Sequence, residues 1–289
     1  GVESLLSERS VYTLDKIKFK KGRKIAYISA ESSVKCEIRM ILAGEFMEGV
    51  QTGTFKGSYR FDIDAGEIIV NKGSGEMRGE YHYSDFGPIL LKNIFEIISN
   101  KTFDKLTDSY IFKPLKMQNT FFNPDTSFYK NIVPTEVDTI YNRGLLKGIV
   151  HDERAWQLGG ISGHAGLFSN TDDLSKFTQM MINHGTLGGK RYFNSNLIKK
   201  FTTKQNIPYN SNRALGWDTP SKNGSLAGDY FTDGSYGHTG FTGTSIWIDP
   251  NQKVGIILLT NRVHPSRNNS GMKNFRIKFH NTAMNALKN

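Results

Sequence analysis

A chain of 289 residues, 37% hydrophobic and 22% charged, is long enough for a proper core, since a polypeptide of this size hides roughly 75% of its unfolded surface. No run approaches the ~18 apolar residues of a membrane-crossing helix, and the single cysteine, Cys36, excludes an intrachain disulfide and any multi-cysteine metal site. The net charge of +10 raises a nucleic-acid reading, but the densest basic run, Lys18 to Lys24, carries no aromatic-and-basic recognition motif. A solvated basic surface, with some peripheral attraction to an anionic envelope, is therefore expected, and nucleic acid is not expected as a partner.

The chain opens Gly1-Val2-Glu3-Ser4 without methionine or a visible secretory signal, which suggests a processed or truncated start. Residues 1–80 mix many glycines with short alternating stretches. Tyr59 to Ile63 and Gly66 to Val70 read as strands. From Phe86 to Ile98 the apolar residues Phe86, Leu90, Ile94, Ile97 and Ile98 keep helical spacing, with Pro88 in the first turn. Another helix opens after Ser169 to Asp173, where a cap and two carboxylates suit its positive end. Its buried stripe is Leu174, Phe177, Met180 and Met181, and Gly185 ends it. Thr244 to Ile248 and Val254 to Leu259 flank Asp249 to Gln252 as a β-hairpin, and a closing helix runs from about Met272 to Leu287. Helices in the middle and strands at the end predict an α+β fold, an antiparallel sheet with helices segregated against it. No linker or internal repeat marks a boundary, so a single domain over 1–289 is expected, incomplete at its N-terminal side.

Two constellations carry chemistry. Tyr83-Ser84-Asp85 precedes the Phe86 helix, where a tyrosine can be held at the edge of a cleft. Gly237-His238-Thr239-Gly240-Phe241-Thr242-Gly243 precedes the hairpin. Glycines there admit a close approach of backbone or ligand, and a strand-end N–H can donate to a developing oxyanion.

Two further segments join these. Ile111 to Phe122 (IFKPLKMQNTFF) resembles the proline-leucine-glycine-methionine segment that follows the tyrosine motif in the penicillin-recognising serine hydrolases. That family includes class C β-lactamases, D-alanyl-D-alanine carboxypeptidases and esterases. Gly159 to Ser169 (GGISGHAGLFS), followed by Asp173-Leu174, resembles the family's glycine-rich segment. Pro134-Thr135-Glu136 and Val150 to Glu153 precede it as in envelope-associated members. The order of segments is kept, and the resemblance covers about residues 80–289. It implies a β-lactamase/transpeptidase-like fold with a helical subdomain, an acyl-enzyme mechanism on D-alanyl peptides or esters, and a periplasmic or extracellular location. No cofactor or metal is implied. The substrate would be a small molecule or derived from peptidoglycan, and the oligomeric state is open.

By the same resemblance Tyr83 is the general base, which requires cationic neighbours because a free phenol titrates near 10. His238, Thr239 and Gly240 correspond to the lysine-threonine-glycine strand that lines the substrate. The N–H of Phe241 supplies half the oxyanion hole, and Asp85 occupies the position where many members hold the substrate amide with asparagine. An acid at 85 and histidine at 238 both depart from the β-lactamase pattern. The family's nucleophile is a Ser-x-x-Lys serine at the start of a buried helix. Ser32-Lys35, Ser127-Lys130 and Ser270-Lys273 match, where about two matches are expected by chance. Only Ser32 precedes Tyr83, and it requires a helix from Cys36 to Gly49; the other reading is that the nucleophile is missing or lost, leaving a silent relative that binds cell-wall fragments or a partner. His151, His164 and His264 are expected to be structural.

Overall fold

The computed structural model describes backbone strands between residues 2 and 78 and, in full, residues 83–206, 211–221 and 224–287. The chain divides into two compact units, Gly1–Lys101 and Thr102–Asn289.

The first unit has strands β1 (Val2–Glu3), β2 (Ser10–Lys20), β3 (Arg23–Ser32), β4 (Lys35–Leu42), β5 (Glu45–Gly53), β6 (Phe55–Asp62), β7 (Glu67–Gly73) and β8 (Met77–Arg78). They form two antiparallel four-stranded sheets, ordered β1-β4-β5-β8 and β2-β3-β6-β7. The strands expected near Tyr59 and Ile68 are β6 and β7, while Ile63 and Gly66 lie outside the described residues.

The helix that a nucleophilic Ser32 would require from Cys36 to Gly49 is not there. β4 pairs with β5 instead, from Lys35 opposite Thr52 to Leu42 opposite Glu45. The sequence explains the correction: Cys36, Ile38, Met40 and Leu42 alternate with Glu37, Arg39 and Ile41, which is a strand period and not a helical one. Ser32 thus ends one strand and Lys35 opens the next.

Helix α1 (Phe86–Ser99) forms as expected, with Asn100 in the left-handed region at φ 52° ending it. Its buried residue is Ile89, whereas Ile97, which keeps the helical spacing, is 70% exposed.

The second unit continues with α2 (Phe103–Thr107), β9 (Phe121–Phe122), β10 (Val137–Asp138), β11 (Gly144–Leu145), α3 (Glu153–Gln157) and β12 (Leu167–Phe168). It ends with α4 (Thr171–Ile182), β13 (Thr186–Leu187), β14 (Lys190–Arg191), α5 (Ser195–Thr202), β15 (Tyr236–Thr239), β16 (Ser245–Asp249), β17 (Val254–Leu258) and α6 (Met272–Ala286). β15, β16 and β17 make an antiparallel sheet in that order. The expected hairpin, the α4 helix and the closing helix are all present.

This sheet is covered on both faces. Ile246 and Ile248 pack with Met180, Met181, Phe112 and Leu115 in one cluster, while Trp247 packs with Phe231, Ile256 and Met284 in another. Alternation along β16 sends successive side chains to opposite layers, α4 on one side and α6 on the other. Truncating any of these large side chains to alanine would cost about 2–5 kcal/mol. α4 is capped by Asn170, whose side chain accepts from Asp173 N at 2.9 Å, and the turn after it closes through Gly185 at φ 92°.

Candidate active site

Tyr83 and Asp85 stand ahead of α1 in the first unit. Tyr83 is 58% exposed, and Asp85 takes the cap position of α1 without a side-chain cap bond. Ser84 Oγ accepts from Phe86 N at 3.2 Å and fixes the entry to the helix. The remaining expected residues, His238 to Phe241, lie together in the second unit on β15 and the turn that follows it.

That turn is shaped by its glycines. Gly237 lies opposite Trp247 in the sheet, and any Cβ at 237 would run into the Trp247 ring and the Ile246 carbonyl. A glycine there lets the indole fill the layer beneath the strand. Gly240 N donates to Thr244 O at 2.8 Å and Gly243 N to Gly240 O at 3.1 Å, which closes the turn. Phe241 sits at its apex, 59% exposed.

Arginines hold the apex from two sides. Arg276, a buried residue of α6, donates from one guanidinium nitrogen to Gly240 O at 2.6 Å and to Thr244 O at 2.9 Å. Arg262 donates to Phe241 O at 2.6 Å, and its guanidinium lies 4.3 Å from the centre of the Phe241 ring. Both carbonyls flanking Phe241 are therefore bound by cations, while its own N–H donates to no acceptor among the described residues. An N–H without an acceptor, in a positive field, is what a developing oxyanion needs.

The imidazole of His238 donates from Nδ1 to Thr239 O at 2.9 Å. Asp218 exchanges two backbone hydrogen bonds with Gly237, at 2.7 and 2.9 Å, and its carboxylate pairs with Arg213. Burial pushes the Asp218 carboxyl up, against the pull of Arg213 and His238.

Below Phe241 runs a buried charged network. The His151 ring stacks on Phe241 with centroids 5.6 Å apart and bonds Glu136 Oε2 at 2.9 Å. Glu136 also accepts from Arg267 N at 2.8 Å and from its guanidinium at 2.6 Å, and Arg267 reaches Glu153 at 2.5 Å. Burial alone would raise the Glu136 carboxyl, but Arg267 and His151 outweigh it and hold it at about 2.

The segments singled out by resemblance also meet one another. β9 pairs with β12, Phe121 opposite Phe168 and Phe122 opposite Leu167. Asp173 accepts from Asn119 N at 2.6 Å and Thr120 Oγ1 at 3.0 Å. Inside the glycine-rich segment, Ser162 Oγ bonds His164 Nδ1 at 2.8 Å and His164 Nε2 bonds Asp152 Oδ1 at 2.8 Å. A serine, a histidine and an aspartate in sequence have the connectivity of a hydrolytic relay. Ser162 is only 2% exposed, however, so the chain of bonds ties the loop to the start of α3. His151, His164 and His264, expected to be structural, all have such partners, His264 donating to Thr135 O at 3.0 Å.

Sequence reasoning missed Asp218, Arg262, Arg267 and Arg276. A signal existed for Arg276: the buried residues of α6 are Met272, Arg276, His280 and Met284, a four-residue period in which Arg276 and His280 lie between two methionines. A groove of about 890 Å³ is lined by Lys199, Thr202, Asp233 and Tyr236, and by neither His238 nor Phe241.

Residues 74–277 match the family model described as Beta-lactamase. Among curated relatives, the N-acetylmuramyl-L-alanine amidase of Bacillus subtilis strain 168 is 36% identical over 203 residues, covering 63% of this chain and 44% of its own. The Escherichia coli K12 protein whose name carries a provisional D-alanyl-D-alanine carboxypeptidase assignment is 36% identical over 200 residues, covering 63% of this chain and 45% of its own. The chain thus spans about half the length of the curated relatives it matches. Among solved structures, a penicillin-binding protein homolog from Caulobacter crescentus superposes with a TM-score of 0.52 at 15% identity, covering 72% of this chain and 60% of that one, a likeness of fold. With the shared fold, the ordered segments and a family match over most of its length, the chain belongs to the Beta-lactamase family.

Proposed function

We propose that this protein is a serine hydrolase of the cell envelope that acts on D-alanyl peptides or esters of peptidoglycan through an acyl-enzyme. The observation that carries the reading is the Phe241 N–H, open at the apex of a turn whose flanking carbonyls are held by Arg276 and Arg262. Names of relatives point the same way, since both the amidase and the carboxypeptidase descriptions concern cell-wall peptides. The reading assigns Tyr83 and His238 to one catalytic machinery, as the family resemblance implies.

In this mechanism a serine oxygen bonds the scissile carbonyl carbon and its proton passes to the Tyr83 phenolate. The carbonyl electron pair moves onto oxygen, which the Phe241 N–H stabilises. Collapse of that pair breaks the C–N or C–O bond, and Tyr83 returns the proton to the departing amine or alcohol. Water then repeats the sequence on the acyl-enzyme. Thr239 and Gly240 line the bound peptide, His238 takes the place of the family's lysine, and Asp85 meets the substrate amide.

A second reading has its own observation. Ser32 and Lys35 bound a strand-to-strand passage and not a helix start, which favours a silent relative that binds cell-wall fragments without turnover. Incubation with a D-alanyl-D-alanine muropeptide and with an activated ester separates the two. The hydrolase reading predicts release of D-alanine or alcohol, labelling by a fluorescent penicillin, and at least a hundredfold loss in Tyr83→Phe. Binding without release or label selects the silent reading, and neither binding nor release removes both.

A further inference from the structure

Arg276 is nearly inaccessible, 7% exposed, yet no carboxylate among the described residues pairs with it. Its Nε has no hydrogen-bond partner among those residues, and the like charge of Arg262 acts on it. Removing a cation from water without a counter-ion costs several kcal/mol, so a residue retained for packing alone would be better served by an apolar side chain. Met272, one turn before it on the same stripe, is of that kind, while His280, one turn after it, is buried with its ring nitrogens bonded to Ser245 and Leu226.

The guanidinium is aimed at one peptide group. The Gly240 carbonyl that accepts from Arg276 at 2.6 Å and the N–H of Phe241 belong to the same planar amide. A donor on the oxygen of an amide draws electron density from its nitrogen and strengthens the opposite N–H as a donor. The second bond of the same nitrogen, to Thr244 O at 2.9 Å, fixes the tilt of that amide relative to the sheet. Arg262 on the next carbonyl adds to the positive field.

We propose that Arg276 is a positioning residue that orients and polarises the Gly240–Phe241 peptide, so that the Phe241 N–H is a charge-strengthened donor for the oxyanion of a tetrahedral intermediate. This rests on the function proposed above for Phe241, but its physical core is separable from turnover. The guanidinium acts through the peptide and does not touch substrate.

Exchange of the Phe241 amide proton with water, followed by NMR on the full chain, tests the idea directly. Positive potential makes an amide more acidic and so speeds base-catalysed exchange. Phe241 should exchange about tenfold faster than the same sequence in an unstructured peptide, since a charge this close acts through a modest effective dielectric. A rate equal to or below the peptide value overturns the proposal without any variant. Arg276→Met should slow Phe241 exchange about tenfold, whereas Arg276→Lys should keep most of the acceleration. A merely structural prop predicts the opposite sign, because a loosened turn exchanges as fast or faster, and that result also overturns the idea. If the parent hydrolyses a muropeptide, Arg276→Met should lower kcat by about tenfold with KM little changed, below the 10²–10³ that follows loss of a whole oxyanion donor. If the parent neither hydrolyses nor binds it while the exchange pattern holds, the proposed function fails and the polarised peptide stands.

Discussion

The two glycine-rich segments of the second unit, Gly159 to Gly166 and Gly237 to Gly243, look alike in sequence and are built for different ends. In the first, the polar groups turn inward: Ser162, His164 and Asp152 bond in a chain, and Asn123 donates to Gly159 O at 2.7 Å. Gly166, at φ 108°, lets the strand pass against the Gly160 carbonyl. In the second, charge holds the turn from beneath, the Phe241 ring is exposed, and its N–H has no acceptor among the described residues. Glycine content marks both as places of close backbone approach. What separates scaffold from site is whether the donors at the apex already have acceptors.

The comparison makes graded predictions for stability, each readable as a shift in the denaturation midpoint. Arg267→Met, which strands the buried Glu136 carboxylate under Phe241, should cost the most, about 3–5 kcal/mol. Gly237→Ala should cost about 3 kcal/mol, because its Cβ meets backbone and the fixed Trp247 ring. His164→Ala, which breaks the inward chain and leaves Ser162 without its partner, should cost about 1–3 kcal/mol and leave muropeptide binding unchanged. If binding is lost while the fold persists, the first segment is a site after all. Phe241→Ala should cost about 1 kcal/mol or less, as its exposed ring contributes a cation–π contact with Arg262.

Acid sharpens the contrast further. Glu136 is held at about 2 against an ordinary 4.5, so the folded state binds its proton later than the unfolded chain does. The stability it contributes is present above pH 4.5 and is lost as pH falls toward 2. Melting temperature should decline through that window, and Glu136→Gln should flatten the decline.

Much of the second unit was legible in sequence because its elements are amphipathic and punctuated. Leu174, Phe177, Met180 and Met181 keep a helical period after a good cap, and Asp249 to Gln252 separate two alternating strands. The site was legible only in its backbone part. His238 to Phe241 follow from a local motif, but Arg276 arrives from the C-terminal helix and Arg267 from a loop, so their roles depend on long-range packing that no local pattern encodes. Before residue 80 a nucleophilic Ser32 requires a helix after it, against which Glu37 and Arg39 already stand; the two-residue alternation from Cys36 to Leu42 is that of the strand that forms there. Ile97 keeps the helical period and is exposed, since periodicity names a face but not what covers it.

The most direct test of the outward-facing turn is a titration of the isotopically labelled chain with a D-alanyl-D-alanine muropeptide, followed at every backbone amide. The account predicts saturable shifts centred on Gly240, Phe241 and Thr242, with the amides of Gly159 to Gly166 nearly still. Shifts centred on the second set, with Phe241 unmoved, would contradict it.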